Sequence, residues 1–445
     1  MLNKQLFILA HEVGCSGFYS DYQQCVKNQW KPYKELKEEQ EKQLRHIILY
    51  SYENVPYYHN LFKSLKLQPS DIRGIEDLEK LPLLTKDTIR QHWEDFKPRN
   101  LSGLKYYEMA TGGSTGTPFS YRLSKHNRFV FGALLYRGWG YGGYDLGDKM
   151  VFLAGSSLDV GTKSRLATCI HETARNLRKL SSFDMGEVEM REYVRTINSF
   201  KPKFIRGYAS SIYFFAKWIE ENDLSIYHPV AVFTTAEKLF TNMRMKISDV
   251  FGCEVYDGYG MTDGGISAYE CPEHSGLHID TELGITEVVG PDGVHIDQGD
   301  GKILATNLHN YALPFIRYDT GDDATVIEDF CECGRGHKLL KEVIGRTVDI
   351  LVTPEGKSVH GWFFLYIFWE NCKGIKEYQV VQKTRNEIII KLVIDNNFND
   401  AQLERIKQII SSKSKSWIVK FQFVNEIERT RAGKYKFIIN EVKNA

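Results

Sequence analysis

The sequence lacks an excess of charge of either sign. Its 445 residues include 57 Lys and Arg against 57 Asp and Glu, so the formal net charge is zero at pH 7. Bulk electrostatic attraction to a polyanion requires a surplus of positive charge. Nucleic acids and anionic membrane surfaces are therefore not expected among the partners.

Long hydrophobic runs are also missing. No apolar stretch approaches the roughly 18 residues that a membrane span requires. The segment from Met1 to Ala10 contains one lysine and a short apolar patch, which His11 and Glu12 interrupt. This pattern fits neither a signal peptide nor an anchor. We expect a protein that is not inserted in a membrane.

Cysteines are sparse and scattered. The eight cysteines lie at positions 15, 25, 169, 253, 271, 331, 333 and 372, and only Cys331 and Cys333 are close together. A long chain with so few thiols does not indicate a disulfide framework. We expect a cytoplasmic location with reduced thiols.

The length and the pattern of the chain predict a layered α/β protein. A chain of 445 residues exceeds what one hydrophobic core usually supports, so two or more domains are expected. Helical and strand patterns alternate between about Lys125 and Tyr256, which is typical of parallel strands joined by helices. Short β segments follow from about Gly284, and the last hundred residues alternate like a small α+β domain.

The residue patterns predict the main elements. The predicted helices are Glu35–Tyr52, Lys125–Trp139, Glu189–Ser199, Ser211–Asn222, Met243–Phe251 and Ala401–Ser411. The predicted strands are Lys105–Met109, Lys149–Ala154, Phe204–Gly207, Ala231–Thr234, Glu254–Tyr256, Glu377–Gln382, Glu387–Ile394 and Val419–Val424. Thr85 is predicted to cap a short helix at Asp87. Ligands of such folds bind at the carboxyl ends of strands.

A glycine-rich stretch, A-T-G-G-S-T-G-T-P-F-S, spans Ala110 to Ser120. Its glycines allow positive φ and close approach of the main chain, so successive N–H groups and hydroxyls can surround an anion. The spacing is not that of a Walker A loop. By itself the stretch predicts either a phosphate-binding loop or a flexible turn.

Five further segments are unusually polar for a core. They are Thr234–Lys238 (T-T-A-E-K), Tyr256–Asp263 (Y-D-G-Y-G-M-T-D), Arg317–Asp323 (R-Y-D-T-G-D-D), Gly345–Asp349 (G-R-T-V-D) and Glu428–Lys434 (E-R-T-R-A-G-K). The third of these is predicted to be an acidic turn. Each segment alone also fits an ordinary turn or a solvated loop.

Taken in order, the glycine stretch and these segments resemble the core motifs of adenylate-forming enzymes. That superfamily includes acyl-CoA synthetases, luciferases and the adenylation domains of peptide synthetases. T-G-G-S-T-G-T-P and the C-x-C-G-R element are most similar to the phenylacetate-CoA ligase group, including CapK-like proteins of capsular polysaccharide biosynthesis. The resemblance extends from about Tyr52 to Lys434.

The resemblance implies an architecture. A large, multi-layered N-terminal domain with a β-rich subdomain, residues 1–345, would bind ATP and the acid. A small, mobile α+β domain, residues 346–445, would form a lid. Dimers are common in this group, so a homodimer is an expectation by analogy.

The resemblance also implies an activity. A carboxylic acid would react with ATP and Mg²⁺ to give acyl-AMP and pyrophosphate, and the acyl group would pass to a thiol, with coenzyme A as second substrate. One alternative is a CapK-like ligase that transfers the acyl group to an amine or hydroxyl. Another is an adenylyltransferase that passes AMP to a phenolic cofactor. A non-enzymatic nucleotide-binding protein with a degenerate site is the remaining alternative.

The resemblance assigns nucleotide-binding residues. They are Thr111, Gly112, Gly113, Ser114, Thr115, Gly116, Thr117, Thr235, Ala236, Glu237, Asp257, Tyr259, Gly260, Thr262, Asp322 and Arg346. The glycine stretch would hold the β- and γ-phosphates, although the family often has lysine where Thr117 stands. Tyr259 would stack on adenine and Asp257 would accept from its exocyclic amine. Asp322 and Arg346 would bind the ribose.

Three further roles follow from the resemblance. Lys434 would be the lysine that bridges the substrate carboxylate and the α-phosphate. Asp263 stands where the family usually has a glutamate that coordinates Mg²⁺; contact through water, or from Glu237 instead, is an alternative. Asp349 matches the hinge about which the C-terminal domain rotates.

The cysteines and histidines of two segments offer zinc ligands. Some members of the phenylacetate-CoA ligase group pair a cysteine and a histidine after the Y-G motif with a later C-x-C. The resemblance therefore implies that Cys271, His278, Cys331 and Cys333 bind a structural zinc ion, with His274 as the substitute for His278. Free cysteines that are simply buried are the alternative.

The acid itself is not identified by the sequence. Its pocket is expected between the Phe204–Tyr213 segment and the Tyr256 loop. Arg206 could pair with an acidic substituent of the acid, or it could form a surface ion pair.

Overall fold

The computed structural model describes residues 2–110, 119–154, 172–182, 185, 187–346, 350–356, 358–360, 362–365, 367–368, 374–429 and 435–442. The chain forms two compact units, Met1–Ile344 and Gly345–Ala445. Some of the predicted site residues lie outside the described residues: Thr111–Thr117 of the glycine stretch, the predicted hinge residue Asp349, and Lys434. Their assignments stay predictions.

Among the described residues, five helices precede the first strand, and helices alternate with strands between Ser120 and Tyr256. In chain order they are α1 Leu2–Gly14, α2 Phe18–Asn28, α3 Tyr33–Asn54, α4 Pro56–Leu65, α5 Lys86–Gln91, α6 Lys125–Tyr141, α7 Glu187–Phe200, α8 Ala209–Glu221, α9 Thr241–Phe251, α10 Trp362–Leu365 and α11 Ala401–Ser411. None of the helices within the described ranges is both long and apolar enough to cross a lipid bilayer.

The strands form two large sheets and three smaller ones. They are β1 Tyr106–Ala110, β2 Ser120–Ser124, β3 Met150–Ala154, β4 Leu177–Ser181, β5 Phe204–Tyr208, β6 Ala231–Thr235, β7 Glu254–Tyr256, β8 Gly258–Met261, β9 Ile266–Glu270, β10 Leu277–Ile279, β11 Gly284–Val289, β12 Gly299–Asn307, β13 Tyr318–Ile327, β14 Leu339–Arg346, β15 Ile350–Val352, β16 Ser358–His360, β17 Ile375–Thr384, β18 Glu387–Ile394, β19 Ile418–Phe423 and β20 Ile438–Asn440.

A five-stranded parallel sheet lies within the first unit. Its strand order is β4-β3-β5-β6-β7, and every pairing is parallel. Helices α8 and α9 supply the crossovers that parallel neighbours require. The predicted α/β alternation is confirmed, and the carboxyl ends of β5, β6 and β7 share one edge.

A seven-stranded sheet, in the order β11-β12-β13-β14-β10-β9-β8, forms the β-rich part of the first unit. Its pairings β8–β9, β9–β10, β10–β14, β11–β12 and β12–β13 are antiparallel. Tyr58 and Phe62 of α4 pack into the same buried cluster as Ile303, Phe315 and Tyr318. Helix α4 therefore covers part of this sheet.

The predicted acidic turn at Arg317–Asp323 is wrong. Residues from Tyr318 onward belong to β13, which pairs with β12 across a register shift between Lys302 and Leu304. Gly321 there has φ of 77°, a conformation that glycine adopts without strain. Asp, Thr and Gly favour turns locally, but pairing with β12 overrides that preference.

The first two helices were not predicted from the sequence. Phe7 and Phe18 are buried with Tyr136 of α6, and His11 stacks between the two phenylalanines at ring distances of 4.3 and 4.6 Å. These buried residues contact α6, and they do not form a regular apolar face along either helix. Local periodicity therefore gave no signal.

The second unit is a small α+β domain, as predicted. Its sheet has the order β19-β18-β17-β20, with β17 and β18 antiparallel and the two outer pairings parallel. Ile406 and Ile410 of α11 are buried. The helix and its apolar face match the sequence pattern.

A buried ion cluster joins three parts of the first unit. Arg137 of α6 is 1% exposed; it donates to Asp280, to Glu282 Oε1 at 2.5 Å and to the carbonyl oxygen of Cys25 at 3.0 Å. Burial raises the pKa of Asp280, and the charge of Arg137 opposes that rise. Removing the arginine would leave buried carboxylates without compensation.

We predict that Arg137→Met lowers the free energy of unfolding by about 3 to 5 kcal/mol, because a buried charge loses its partner. The matched control is Arg191→Met, which breaks the exposed pair with Glu187 at 2.8 Å and should cost less than about 1 kcal/mol. Denaturant unfolding followed by tryptophan fluorescence measures both. Equal unfolding midpoints for the two variants would contradict the role given to Arg137.

Candidate active site

The edge formed by β5, β6 and β7 carries two of the polar segments. β6 ends at Thr235, and Ala236 then has φ of 67°, a left-handed conformation that is uncommon outside glycine. Such backbone conformations concentrate at functional sites. Glu237 Oε2 accepts a hydrogen bond from the Ser210 N–H at 2.9 Å, at the start of α8. The Thr234–Lys238 segment is thereby fixed to the end of β5.

Asp257 follows β7 and turns toward β6. Its Oδ1 accepts from Thr234 Oγ1 at 2.7 Å and from the Gly258 N–H at 2.9 Å. Burial raises the pKa of Asp257 to about 6, although both hydrogen bonds oppose the rise. The carboxylate is therefore an ionised acceptor above about pH 6.

Glu270, at the end of β9, holds Asp257 in place. Glu270 Oε2 accepts from the Asp257 N–H at 2.8 Å, and Arg244 Nη2 donates to both oxygens of Glu270, at 3.0 and 2.9 Å. Glu270 is 6% exposed. Sequence analysis missed this residue, because its role depends on a contact between β9 and the end of β7.

Tyr259 and Asp322 lie next to one another, although they are 63 positions apart in the sequence. Tyr259 Oη donates to Asp322 Oδ2 at 2.8 Å, which joins β8 to β13. Burial raises the pKa of Tyr259, so its hydroxyl remains a donor at neutral pH. The structure thus brings together two residues that the sequence assigned to one nucleotide.

Asp263 is buried just beyond β8. Tyr318 Oη donates to its Oδ2 at 3.2 Å. Burial raises the pKa of Asp263, while the positive charge of Lys86 opposes the rise. Lys86 begins α5 two positions after Leu84, whose main chain pairs with Arg317 and Asp319 at 3.0 and 2.8 Å.

Lys86 is a second residue that sequence analysis missed as a site candidate. The sequence predicts only the cap at Thr85, which the structure confirms: Thr85 Oγ1 accepts from the Thr88 N–H at 3.1 Å. The pairing of Leu84 with β13 brings the lysine to Asp263. No local pattern shows that pairing.

A small pocket opens at the same edge, between β5 and the residues that follow β7. Its lining includes Trp139, Arg206, Thr234, Asp257, Tyr269 and Glu270. It lies where the sequence places the pocket for the acid; that an acid binds there stays a prediction.

Arg206 does not form the surface ion pair that was one of its alternatives. It is 8% exposed, and its guanidinium lies over the rings of Trp139 and Phe152, at 4.8 and 5.5 Å from their centroids. Burial lowers the pKa of Arg206 to about 10, so it is still a cation at neutral pH.

The remaining described residues that were predicted to bind the nucleotide lie in or next to strands. Gly260 lies in β8, and Thr262 is in the turn that follows it. Arg346 ends β14, and its side chain lies outside the described residues. Arg429, the last described residue of the Glu428–Lys434 segment, pairs with Glu377 at 2.7 Å.

The four proposed zinc ligands form one cluster. One donor atom from each of Cys271, His278, Cys331 and Cys333 lies within 4.8 Å of all the others. Cys271 Sγ is 3.6 Å from Cys331 Sγ, and Cys333 Sγ is 3.5 Å from His278 Nε2. Tetrahedral zinc, with Zn–S near 2.3 Å, separates its ligand atoms by about 3.5 to 3.8 Å. The donor set and spacing fit zinc.

His274, the substitute ligand, lies elsewhere. Its ring nitrogens are 3.1 Å from Glu270 and 3.3 Å from Glu254, and its ring stacks on Tyr256 with centroids 5.2 Å apart. His278, on β10, is the histidine in the cluster.

Comparisons with known proteins agree with these observations. The family model described as the CapK C-terminal domain matches residues 351–441. Phenylacetate-coenzyme A ligase of Thermus thermophilus is 26% identical over 399 residues, covering 82% of this chain and 83% of the relative. Protein CapK of Staphylococcus aureus is 26% identical over 416 residues, covering 92% and 90%.

Solved structures share the fold. A 2-hydroxyisobutyryl-CoA ligase, in the postadenylation state with 2-HIB-AMP, matches with a TM-score of 0.75 at 19% identity over 93% of this chain and 91% of its own. The anthranilate CoA ligase AuaEII with anthranoyl-AMP matches with a TM-score of 0.51 at 17% identity over 74% and 65%. The predicted resemblance is confirmed: in sequence the chain is a relative of phenylacetate-coenzyme A ligase and of CapK, and it has the fold of the adenylate-forming CoA ligases.

Proposed function

We propose that the protein uses ATP to convert a carboxylic acid into its acyl-adenylate and then transfers the acyl group to a thiol, with coenzyme A as the acceptor. One observation carries the proposal. Among the residues that the sequence assigns to a single nucleotide, Asp257 lines a pocket at the carboxyl edge of the parallel sheet, and Tyr259, two positions further on, is hydrogen-bonded to Asp322. Ligands of α/β folds bind at such an edge.

The reaction has two steps. A carboxylate oxygen of the acid attacks the α-phosphorus of ATP, and the bond to pyrophosphate breaks. The thiolate of the acceptor then attacks the acyl carbon, and AMP leaves. Neither step needs a nucleophile from the protein, so alignment and stabilisation of charge are its contributions.

Three side chains suit the adenosine part of ATP. Asp257 is ionised at neutral pH and can accept from the exocyclic amine of adenine. Tyr259 offers its ring to the base, and its hydroxyl holds Asp322 at 2.8 Å. The two carboxylate oxygens of Asp322 can accept from the two ribose hydroxyls. The Thr235–Glu237 main chain would line the base.

The phosphates need positive charge that Thr117 does not supply. We assign the β- and γ-phosphates to the N–H groups and hydroxyls of Thr111–Thr117, with Lys86 adding charge beside Asp263. The buried Asp263 carboxylate suits Mg²⁺, which commonly takes one or two carboxylates together with substrate phosphates. When bound, Mg²⁺ would neutralise phosphate charge.

The acceptor has one specific alternative. It is an amine or hydroxyl in surface-polysaccharide biosynthesis, and the match of residues 351–441 to the CapK C-terminal domain is the observation that suggests it. The second alternative is transfer of AMP to a phenolic cofactor. That reaction would use the same nucleotide site but no carboxylic acid. A homodimer and a cytoplasmic location also stay predictions.

ATP–pyrophosphate exchange tests the proposed function. We expect exchange that depends on one class within a panel of aryl, fatty, amino and sugar acids, and a thioester product when coenzyme A is added. Exchange without a thioester would favour the amine or hydroxyl acceptor. No exchange with any acid would contradict adenylation of an acid.

The same assay tests Lys434. We expect Lys434→Ala to reduce acid-dependent exchange at least about 100-fold, because the variant lacks the cation for the carboxylate and the α-phosphate. Thioester formation from supplied acyl-AMP should remain close to normal. Lys436→Ala is the matched control and should retain exchange. A Lys434→Ala variant that forms acyl-AMP at the normal rate would refute the assignment.

We further propose that Cys271, His278, Cys331 and Cys333 hold a structural zinc ion. The four ligands leave no open position for a substrate, so the ion would stabilise the fold rather than act in catalysis. It would connect β9 and β10 to the segment that precedes β14.

Metal analysis of freshly purified, reduced protein tests the zinc site. We expect about one zinc ion per chain, lost together with thermal stability in Cys271→Ser, because one of four ligands is removed. Cys253→Ser, a half-buried cysteine outside the cluster, is the control and should keep the metal. Protein free of zinc under these conditions would refute the site.

A further inference from the structure

We propose that the acid carries a second carboxylate, and that Arg206 binds it at the far end of the pocket from the reacting carboxylate. The substrate class is therefore a dicarboxylic acid. This inference rests on the proposed function, since it takes the pocket beside Asp257 as the site of the acid.

Arg206 lies in the middle of the parallel sheet, where a charge is unusual. All five residues of β5 are buried, and β5 runs between β3 and β6. The residues in register with Arg206 on these neighbours are Phe152 and Phe233. Arg206 is therefore flanked in the sheet by two aromatic residues, which pack without a charged neighbour. Packing alone does not explain why an arginine stands at this position.

The contacts that Arg206 makes with other described residues do not include an anion. Its guanidinium lies over the faces of Trp139 and Phe152, at 4.8 and 5.5 Å from the ring centroids. Aromatic faces attract the cation but accept few of its five N–H donors. Within the described ranges, no carboxylate lies in ion-pair or hydrogen-bond contact with it, and its electrostatic neighbours are the hydroxyls of Tyr269, Tyr136 and Tyr208.

Two carboxylates line the same pocket, but each has other partners. Glu270 is held by Arg244 at 2.9 and 3.0 Å. Asp257 accepts from Thr234 at 2.7 Å. Neither carboxylate forms an ion pair or a hydrogen bond with Arg206 among the described residues, so the guanidinium can take a carboxylate of the ligand.

The chemistry of the reaction favours a second carboxylate over the reacting one. The reacting carboxylate loses its charge when it becomes the acyl-adenylate, so its pairing with Arg206 would end at the first step. A second carboxylate keeps its charge through both steps. The planar guanidinium also matches a carboxylate in two parallel hydrogen bonds. The rings of Trp139 and Phe233, which line the pocket, suit the carbon frame between the two ends.

Matched pairs of acids test the inference. Each pair differs by one carboxylate: homophthalate with phenylacetate, 4-carboxyphenylacetate with phenylacetate, and glutarate with butyrate. Acid-dependent pyrophosphate exchange gives kcat/KM for each acid with the wild type, Arg206→Met and Arg206→Lys. Thermal unfolding establishes that each variant folds, and Arg191→Met is the surface control.

We expect the wild type to favour the dicarboxylate at least about 100-fold in one or more pairs, because truncating a buried charge pair has effects of this size. Arg206→Met should lose that preference, so that the ratio of kcat/KM between the two acids of each pair falls towards one. Arg206→Lys, which keeps the charge without the planar fork, should retain part of it. Arg191→Met should behave as the wild type.

The failures are distinguishable. If the wild type prefers the mono-acid in every pair, the substrate class is refuted, while exchange itself upholds the proposed function. If no acid supports exchange, the proposed function fails, and calorimetric titration with the three dicarboxylates decides the anion site. Binding by the wild type but not by Arg206→Met would support the site. Equal binding by both, or none by either, would overturn it.

Discussion

The parallel pairing of β5, β6 and β7 is the constraint on which the site depends. Parallel neighbours end at the same edge, so the chain leaves the sheet three times within a short distance, after Tyr208, Thr235 and Tyr256. Segments that are far apart in the sequence are thereby collected into one place. Helices α8 and α9, which return the chain between these strands, are consequences of the same arrangement.

Side chains from the antiparallel sheet then fix the exact orientation of that edge. Glu270 of β9 holds the main chain at Asp257, and Asp322 of β13 accepts from Tyr259. Each contact pairs a buried polar group with a partner, as burial requires. Burial also raises the pKa of Asp257 to about 6, so this carboxylate is ionised above about that pH. Arg206 is a buried cation that lies over two aromatic rings.

Much of the fold could be predicted from the sequence, because its elements have clear periodicity. The helix at Ala401–Ser411 and the strand at Glu387–Ile394 were predicted with the bounds that the structure gives them. The acidic turn was wrong, because β13 is stabilised by pairing with β12 rather than by its own residues. Tertiary pairing is invisible to local propensity.

Site residues that belong to a sequence motif could be predicted. Residues whose role depends on a contact with a distant part of the chain could not. The four proposed zinc ligands lie in one cluster, as the resemblance implied. Lys86 and Glu270 gave no signal, because each acquires its role only through packing against a distant strand. Arg206 could not be assigned, since its position in a strand does not tell whether that strand is central or at an edge.

The most direct measurement is a crystal structure of the protein with a non-hydrolysable acyl-adenylate analogue. The account predicts the adenine amine within hydrogen-bond distance of the Asp257 carboxylate, and both ribose hydroxyls at Asp322. An analogue bound at another edge, or one that leaves Asp257 and Asp322 without contacts, would contradict it.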